Sequence, residues 1–197
     1  MSDHGRIGPR PDAIFTHARL SYSEDRGGRV KRRVLIVGNS GGGKSTLARR
    51  LGEKTGLPVI HLDVLFWKPG WVERDDAEFR ASVAEALQAP TWITDGNFGG
   101  TWVLRMPLAD TIVWIDQPRA LCLLRAIWRM VTYRHGGRPD MAEGCDEAVD
   151  LKFYGFIWTY NRKVRPRLEA ALASYGARAA IVRLRNDREI ATFLARA

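Results

Sequence analysis

Nine consecutive residues, GNSGGGKST at positions 38–46, join a glycine run to a lysine and two hydroxyls. Gly38-Asn39-Ser40-Gly41-Gly42-Gly43-Lys44-Ser45 has the spacing G-x-x-x-x-G-K-[ST], and Thr46 follows. Each part has a physical task in holding phosphate. The glycines let successive backbone N–H groups turn inward, where side chains would block them. A helix beginning near Lys44 aims the positive end of its dipole at the same point. Lys44 then reaches the terminal phosphates of a nucleotide, and the Ser45 hydroxyl is placed to ligate Mg²⁺. The required flanks are present, an apolar RVLIVG run before the loop and KSTLARRLGEKTG after it.

Metal-assisted phosphate chemistry also needs a carboxylate at the end of a neighbouring strand. TWITDG supplies Asp95 and DTIVWID supplies Asp116. Asp116, followed by Gln117-Pro118, reads as a turn former or helix cap; Asp95 is read as the metal partner of Ser45, partly on the resemblance given below. His61 reads as a strand residue and His135, beside Gly136-Gly137, as a solvated loop residue. Trp67 and Trp71 suit either stacking on a ring-shaped ligand or packing.

Positioning these groups takes alternating elements, and the chain supplies them. RVLIVG, LPVIHLD, TWITDG, DTIVWID and ARAAIVRLR are short apolar runs of strand type. Between and after them lie helical runs: KSTLARRLGEKTG, RDDAEFRASVAEALQ, PRALCLLRAIWRMVTY and DREIATFLARA. Pro118 suits the first position of its helix, and Asn186 or Asp187 the cap of the last. EAVDLKFYGFIWTYNRKVRPRLEAALASYG reads as one long helix or two, divided near Pro166. Alternation of this kind predicts an α/β fold, a five-stranded parallel sheet with helices on both faces. A lid insert is expected around 130–150, pivoting on the glycines of HGGRPD, and a poorly ordered leader over 1–30.

The 197 residues fit one domain of ordinary composition, 45% hydrophobic and 27% charged. Two cysteines, Cys122 and Cys145, are too few for a disulfide framework and lie outside any CxxC pair. No apolar run has the length of a membrane helix, and the expectation is a cytoplasmic protein without membrane contact. The formal charge of +9 suits nucleic acid or a small polyanion such as a nucleoside triphosphate. Residues 119–138 carry Arg119, Arg125, Arg129, Arg134 and Arg138 without an acid, a local cluster. Arg125 and Arg129, one helical turn apart, share a face. Leu121, Leu124 and Trp128 are expected to anchor their helix, and with no acid nearby the pair calls for an anion.

These segments together resemble the P-loop kinases of the nucleoside-monophosphate-kinase type, whose familiar member is adenylate kinase. The resemblance covers about residues 32–195 and implies a three-layer P-loop fold with a small helical lid. It places Asp95 on Mg²⁺ and Arg105 on the acceptor phosphate, through WITDGNF and the arginine downstream. It sets Arg125 and Arg129 on the donor phosphates, and Arg138, Arg162 and Arg165 as arginines closing on the acceptor. Asp63, following the second strand, resembles the acid that holds the substrate hydroxyl in shikimate-type kinases. LDVLFWKPGW, DGNF, RPDMAEGC and LRNDREIATFL are similar to small bacterial proteins labelled topology modulation protein or adenylate-kinase-related kinase. The stretch after the second strand departs from true adenylate kinases, so the acceptor is left open between a nucleotide and a hydroxylated metabolite. The leading expectation is an ATP- and Mg²⁺-dependent phosphotransferase with Lys44, Asp63, Arg125 and Arg129 as its catalytic residues. The alternative is a nucleotide-dependent regulator that binds DNA or another protein.

Overall fold

The computed structural model describes residues 32–133, 141, 144, 145 and 150–197. The expected leader and most of the expected lid, with Arg134, His135 and Arg138, lie outside the described residues.

Five parallel strands form the sheet: β1 (Arg33–Gly38), β2 (Val59–His61), then, past a two-stranded hairpin of β3 (Trp67–Lys68) and β4 (Val72–Glu73), β5 (Trp92–Asp95), β6 (Thr111–Ile115) and β7 (Ala180–Leu184). Their spatial order is β2-β5-β1-β6-β7, with β1 at the centre. The helices are α1 (Lys44–Thr55), α2 (Leu62–Phe66), α3 (Asp76–Ala86), α4 (Trp102–Arg105), α5 (Arg119–Thr132), α6 (Leu151–Lys163), α7 (Arg165–Tyr175) and α8 (Asp187–Arg196). This is the three-layer α/β architecture expected from the alternation of runs.

Period-two alternation in β1 separates the two layers. Val34 and Ile36 face α1 and α8, where they meet Leu47, Ala48 and Leu51 together with Val113 and Leu184. Leu35 and Val37 face the other way, onto Phe79 and Val83 of α3, Trp102 of α4 and Leu168 and Leu172 of α7. All four β1 side chains are fully buried, and each such burial contributes about 1.5–3 kcal/mol. Strands covered on both faces read as continuous apolar runs, as β1 and β6 do.

Local chemistry fixes the helix ends. The Asp75 carboxylate accepts from the N–H groups of Ala77 and Glu78 and caps α3. Asn186 caps α8 by accepting from Glu189 N–H at 2.9 Å, and the Glu189 carboxylate reaches back to the Asn186 amide and to Arg185 N–H. Pro118 is the cap of α5 rather than its first residue. The long C-terminal run is two helices, α6 ending at Lys163 and α7 holding Pro166 in its first turn. Among the described residues, no helix is long and apolar enough to cross a membrane.

Two further expectations fail. Leu124 and Trp128 do not anchor α5: they are 65% and 66% exposed, and the helix is held by Cys122 and Ala126 against Ile157 of α6. Asp116 is neither turn former nor cap. Its carboxylate lies between Arg183 of β7 and Arg165 of α7.

Candidate active site

Parallel strands end together, and β1, β2 and β5 bring Gly38, His61 and Asp95 to one edge of the sheet. From Gly38 the chain enters the phosphate cradle. A Cβ on Gly38 would lie 2.2 Å from the Ile115 carbonyl oxygen, and one on Gly41 2.1 Å from that of Cys122. Backbone packed that closely admits only glycine. The Asn39 amide donates to the Ile157 carbonyl at 3.0 Å and fastens the loop to α6. Gly42 N–H closes a turn on the Asn39 carbonyl. Ser40 stands half-buried on the loop and Thr46 is exposed just beyond it.

Gly43, in the left-handed region at φ 97°, precedes α1, and no side chain caps this helix, unlike α3, α6 and α8. Its first-turn N–H groups therefore remain for an anion. The Lys44 ammonium folds over the loop and donates to the Asn39 carbonyl at 2.9 Å. Burial pushes it below the ordinary lysine range, Asp63 and Asp95 pull it up, and Arg129 pushes it down. These interactions set Lys44 of α1 in one electrostatic neighbourhood with Asp63 of α2, Asp95 of β5 and Arg129 of α5. Ser45 sits half-buried in the first turn of α1.

Asp95 is 2% exposed and is the register partner of both Ile36 on β1 and His61 on β2. That register sets His61 Nδ1 2.6 Å from Asp95 Oδ1. The histidine, read from sequence as a plain strand residue, is thus a direct partner of the expected metal ligand. Among the described residues, no three His, Cys, Asp or Glu side chains converge as a metal cage. A Mg²⁺ site completed by phosphate oxygens and water needs only one or two protein ligands, and Ser45 with Asp95 fits that donor set.

The arginines divide. Arg105 is fully buried. Its guanidinium donates to the carbonyls of Gly96 at 3.0 Å and Asn97 at 2.5 Å, and its Nε to Thr101 Oγ1 at 2.9 Å. Burial lowers it to about 9 against the pull of Asp95, so it is charged at neutral pH. In this arrangement Arg105 holds a turn of its own chain, where an acceptor phosphate was expected. Arg165 is engaged by Asp116, by Glu169 at 3.1 Å and by the Trp114 ring 5.3 Å away. Arg162 is exposed on α6. Arg125 donates to the Asp187 carboxylate at 2.6 Å. The acid judged missing near the α5 pair is therefore supplied by α8, 62 residues downstream. Arg129 lies over Phe153 of α6 and acts on Lys44.

Beside the cradle a groove of about 260 Å³ runs between α1 and α8, lined by Thr46, Leu47, Arg50, Arg125, Asp187 and Ile190. The helix α2 carries half-buried Asp63 and ends at Phe66 in an aromatic group. Phe66 packs edge-on against Phe79 and Trp67, and lies 4.9 Å from Phe98. Trp67 in turn meets Trp71 at 5.3 Å. Trp71 and Phe98 both have positive φ, 61° and 34°, and backbone strain of that kind clusters at functional sites.

No protein-family model and no curated protein matches the chain. Among solved structures it is similar to a sugar kinase from Janibacter sp. HTCC2649, at 17% identity over 84% of this chain and 91% of that one, with a TM-score of 0.46. It is also similar to shikimate kinase from Bacteroides thetaiotaomicron, at 20% identity over 84% and 95% of the two chains, again with a TM-score of 0.46. Likenesses at this level leave the chemistry to be read from the site itself.

Proposed function

We propose that the chain is an ATP-dependent P-loop phosphotransferase acting on a hydroxyl of a small acceptor. The observation that carries this reading is the glycine cradle with its uncapped helix, over which the Lys44 ammonium folds onto the Asn39 carbonyl at 2.9 Å, in the field of Asp63, Asp95 and Arg129. A hydrolytic loop needs only the cradle and a metal ligand. Asp63, brought to the same lysine from the acceptor side, adds a group able to orient a hydroxyl.

In this reading the amides of Gly38–Gly43 and α1 hold the donor phosphates, and Ser45 and Asp95 organise Mg²⁺. Bound there, Mg²⁺ would bridge and neutralise the phosphate oxygens. Lys44 and Arg129 stabilise charge on the transferring group. The α1–α8 groove, next to the cradle, receives the nucleoside. Sequestration of Arg105 favours a hydroxylated acceptor over a nucleoside monophosphate, because the described acceptor side then offers Asp63 and aromatic rings. The resemblance to topology-modulation-type and adenylate-kinase-related proteins enters only as support for the ATP donor.

The test is a screen for acceptor-dependent ADP release over nucleoside monophosphates and small polyols, sugars and hydroxy acids. A hydroxylated compound is expected to raise ADP release above the basal rate, and Asp63→Asn to abolish that rise. Stimulation by nucleoside monophosphates alone would reverse the acceptor assignment. Basal hydrolysis unaffected by any acceptor would favour the regulator reading.

A further inference from the structure

We propose that Asn97 is a positioning residue for the phosphate cradle, and that through it the acceptor-side turn 96–98 sets the shape of the donor loop. One side-chain amide brackets one residue, taking the N–H and the carbonyl on either side of its Cα. Asn97 Oδ1 accepts from Gly38 N–H at 3.1 Å, and Asn97 Nδ2 donates to the Gly38 carbonyl at 2.7 Å. Gly38 is the hinge between β1 and the cradle. On its other side it is the register partner of Ile115 on β6, whose carbonyl oxygen occupies the place a Cβ would take. Gly38 is therefore fixed from both flanks, and the flank facing β5 is Asn97 alone among the described side chains that hydrogen-bond it.

The turn that carries Asn97 is itself held stiffly. Arg105 grips the carbonyls of Gly96 and Asn97. Thr101 donates to the Phe98 carbonyl through both its N–H and its hydroxyl, each at 2.8 Å. Phe98, at φ 34°, packs on Phe66, the last residue of the helix that bears Asp63. A continuous path of packed and hydrogen-bonded groups thus runs from the acceptor-side helix to the first glycine of the cradle. Asn97 touches the backbone of the cradle, so its role is to hold the loop in the conformation that receives phosphate, a preorganisation. For its link to catalysis the proposal rests on the phosphotransferase reading; its structural core does not.

The experiment uses the full chain as Asn97→Ala and Asn97→Asp. Asp keeps the acceptor for Gly38 N–H and loses the donor to the Gly38 carbonyl. Amide hydrogen exchange is followed at Gly38–Gly43 without nucleotide, and ADP affinity by calorimetry. Loss of two hydrogen bonds is expected to speed exchange of the cradle amides roughly tenfold and to weaken ADP binding by about the same factor. Exchange in β6 and β7 should stay at the wild-type rate, with Asn97→Asp intermediate in cradle exchange. Where the protein turns over, the KM for ATP should rise by more than kcat falls. Wild-type cradle exchange and ADP affinity in Asn97→Ala, even with a lower Tm, would overturn the proposal. Should Asn97→Ala not fold, wild-type cradle exchange in Asn97→Asp would overturn it equally. If the wild-type chain transfers phosphate to no acceptor, the functional reading fails, while cradle exchange still decides the role of Asn97.

Discussion

A half-buried lysine in the field of two carboxylates is a group whose charge depends on what lies next to it. Lys44 is held below its ordinary value by burial. An arriving phosphate stabilises the ammonium and raises its value again. Binding at a pH between the lowered value of Lys44 and its value beside phosphate should therefore take up protons, and affinity should fall as pH rises through that window. Calorimetry of ADP binding over a series of pH values, in buffers of different ionisation heat, measures that uptake, and a buffer-independent heat throughout the series would contradict it. The same shift bears on folding. The unfolded chain binds the Lys44 proton more tightly, so burial of this charge opposes folding at neutral pH. That opposition fades as pH rises from the folded value toward the unfolded one, and stability rises across that window. Lys44→Ala should lower turnover by roughly 10²-fold or more with no loss of Tm; near-wild-type turnover would remove Lys44 from the chemistry. This residue was legible in sequence because its partners in the loop are consecutive. Arg105 and Arg125 were not, because the carbonyls of 96 and 97 and the carboxylate of Asp187 reach them only through the fold.

At the scale of elements, the five strands and the long helices were legible because each repeats its apolar pattern over enough residues to show a period. The short helices α2 and α4 and the β3–β4 hairpin were not. They run two to five residues, less than one or two periods of any pattern. Their cohesion comes from contacts such as Phe66 on Phe98 and from Gly70 N–H on the Gly144 carbonyl. The helix α5 shows the opposite error, a pattern read on the wrong face. Leu124, Trp128 and Val131 recur at helical spacing, yet all three are about two-thirds exposed. Trp128→Gln and Val131→Gln should accordingly change unfolding free energy by no more than about 0.5 kcal/mol each. Ala126→Leu, 1% exposed against α6, should cost about 1–3 kcal/mol by overpacking. Urea denaturation of the three variants separates the faces, and the reverse ranking would place the helix wrongly.

For the whole molecule, the sheet order puts β1 between β5 and β6, so the cradle grows from the most deeply packed strand. The α1–α8 layer and the α3–α4–α7 layer both lean on that strand. A ligand seated on the cradle therefore stabilises both layers together. ADP at a hundredfold excess over its Kd should add about 2.7 kcal/mol to unfolding, seen as one cooperative transition at a higher Tm. A second, unshifted transition would show that the layers unfold separately. The turn 96–98 has a further consequence for anyone reshaping the acceptor specificity of this scaffold. On the phosphotransferase reading, mutational libraries at Trp67 and Trp71, which pack on each other in the hairpin, would bear on the acceptor first. On the same reading, libraries at 96–98 would bear on acceptor and donor at once, because Asn97 also holds Gly38, and most of their members would be lost to selection before a new acceptor was found.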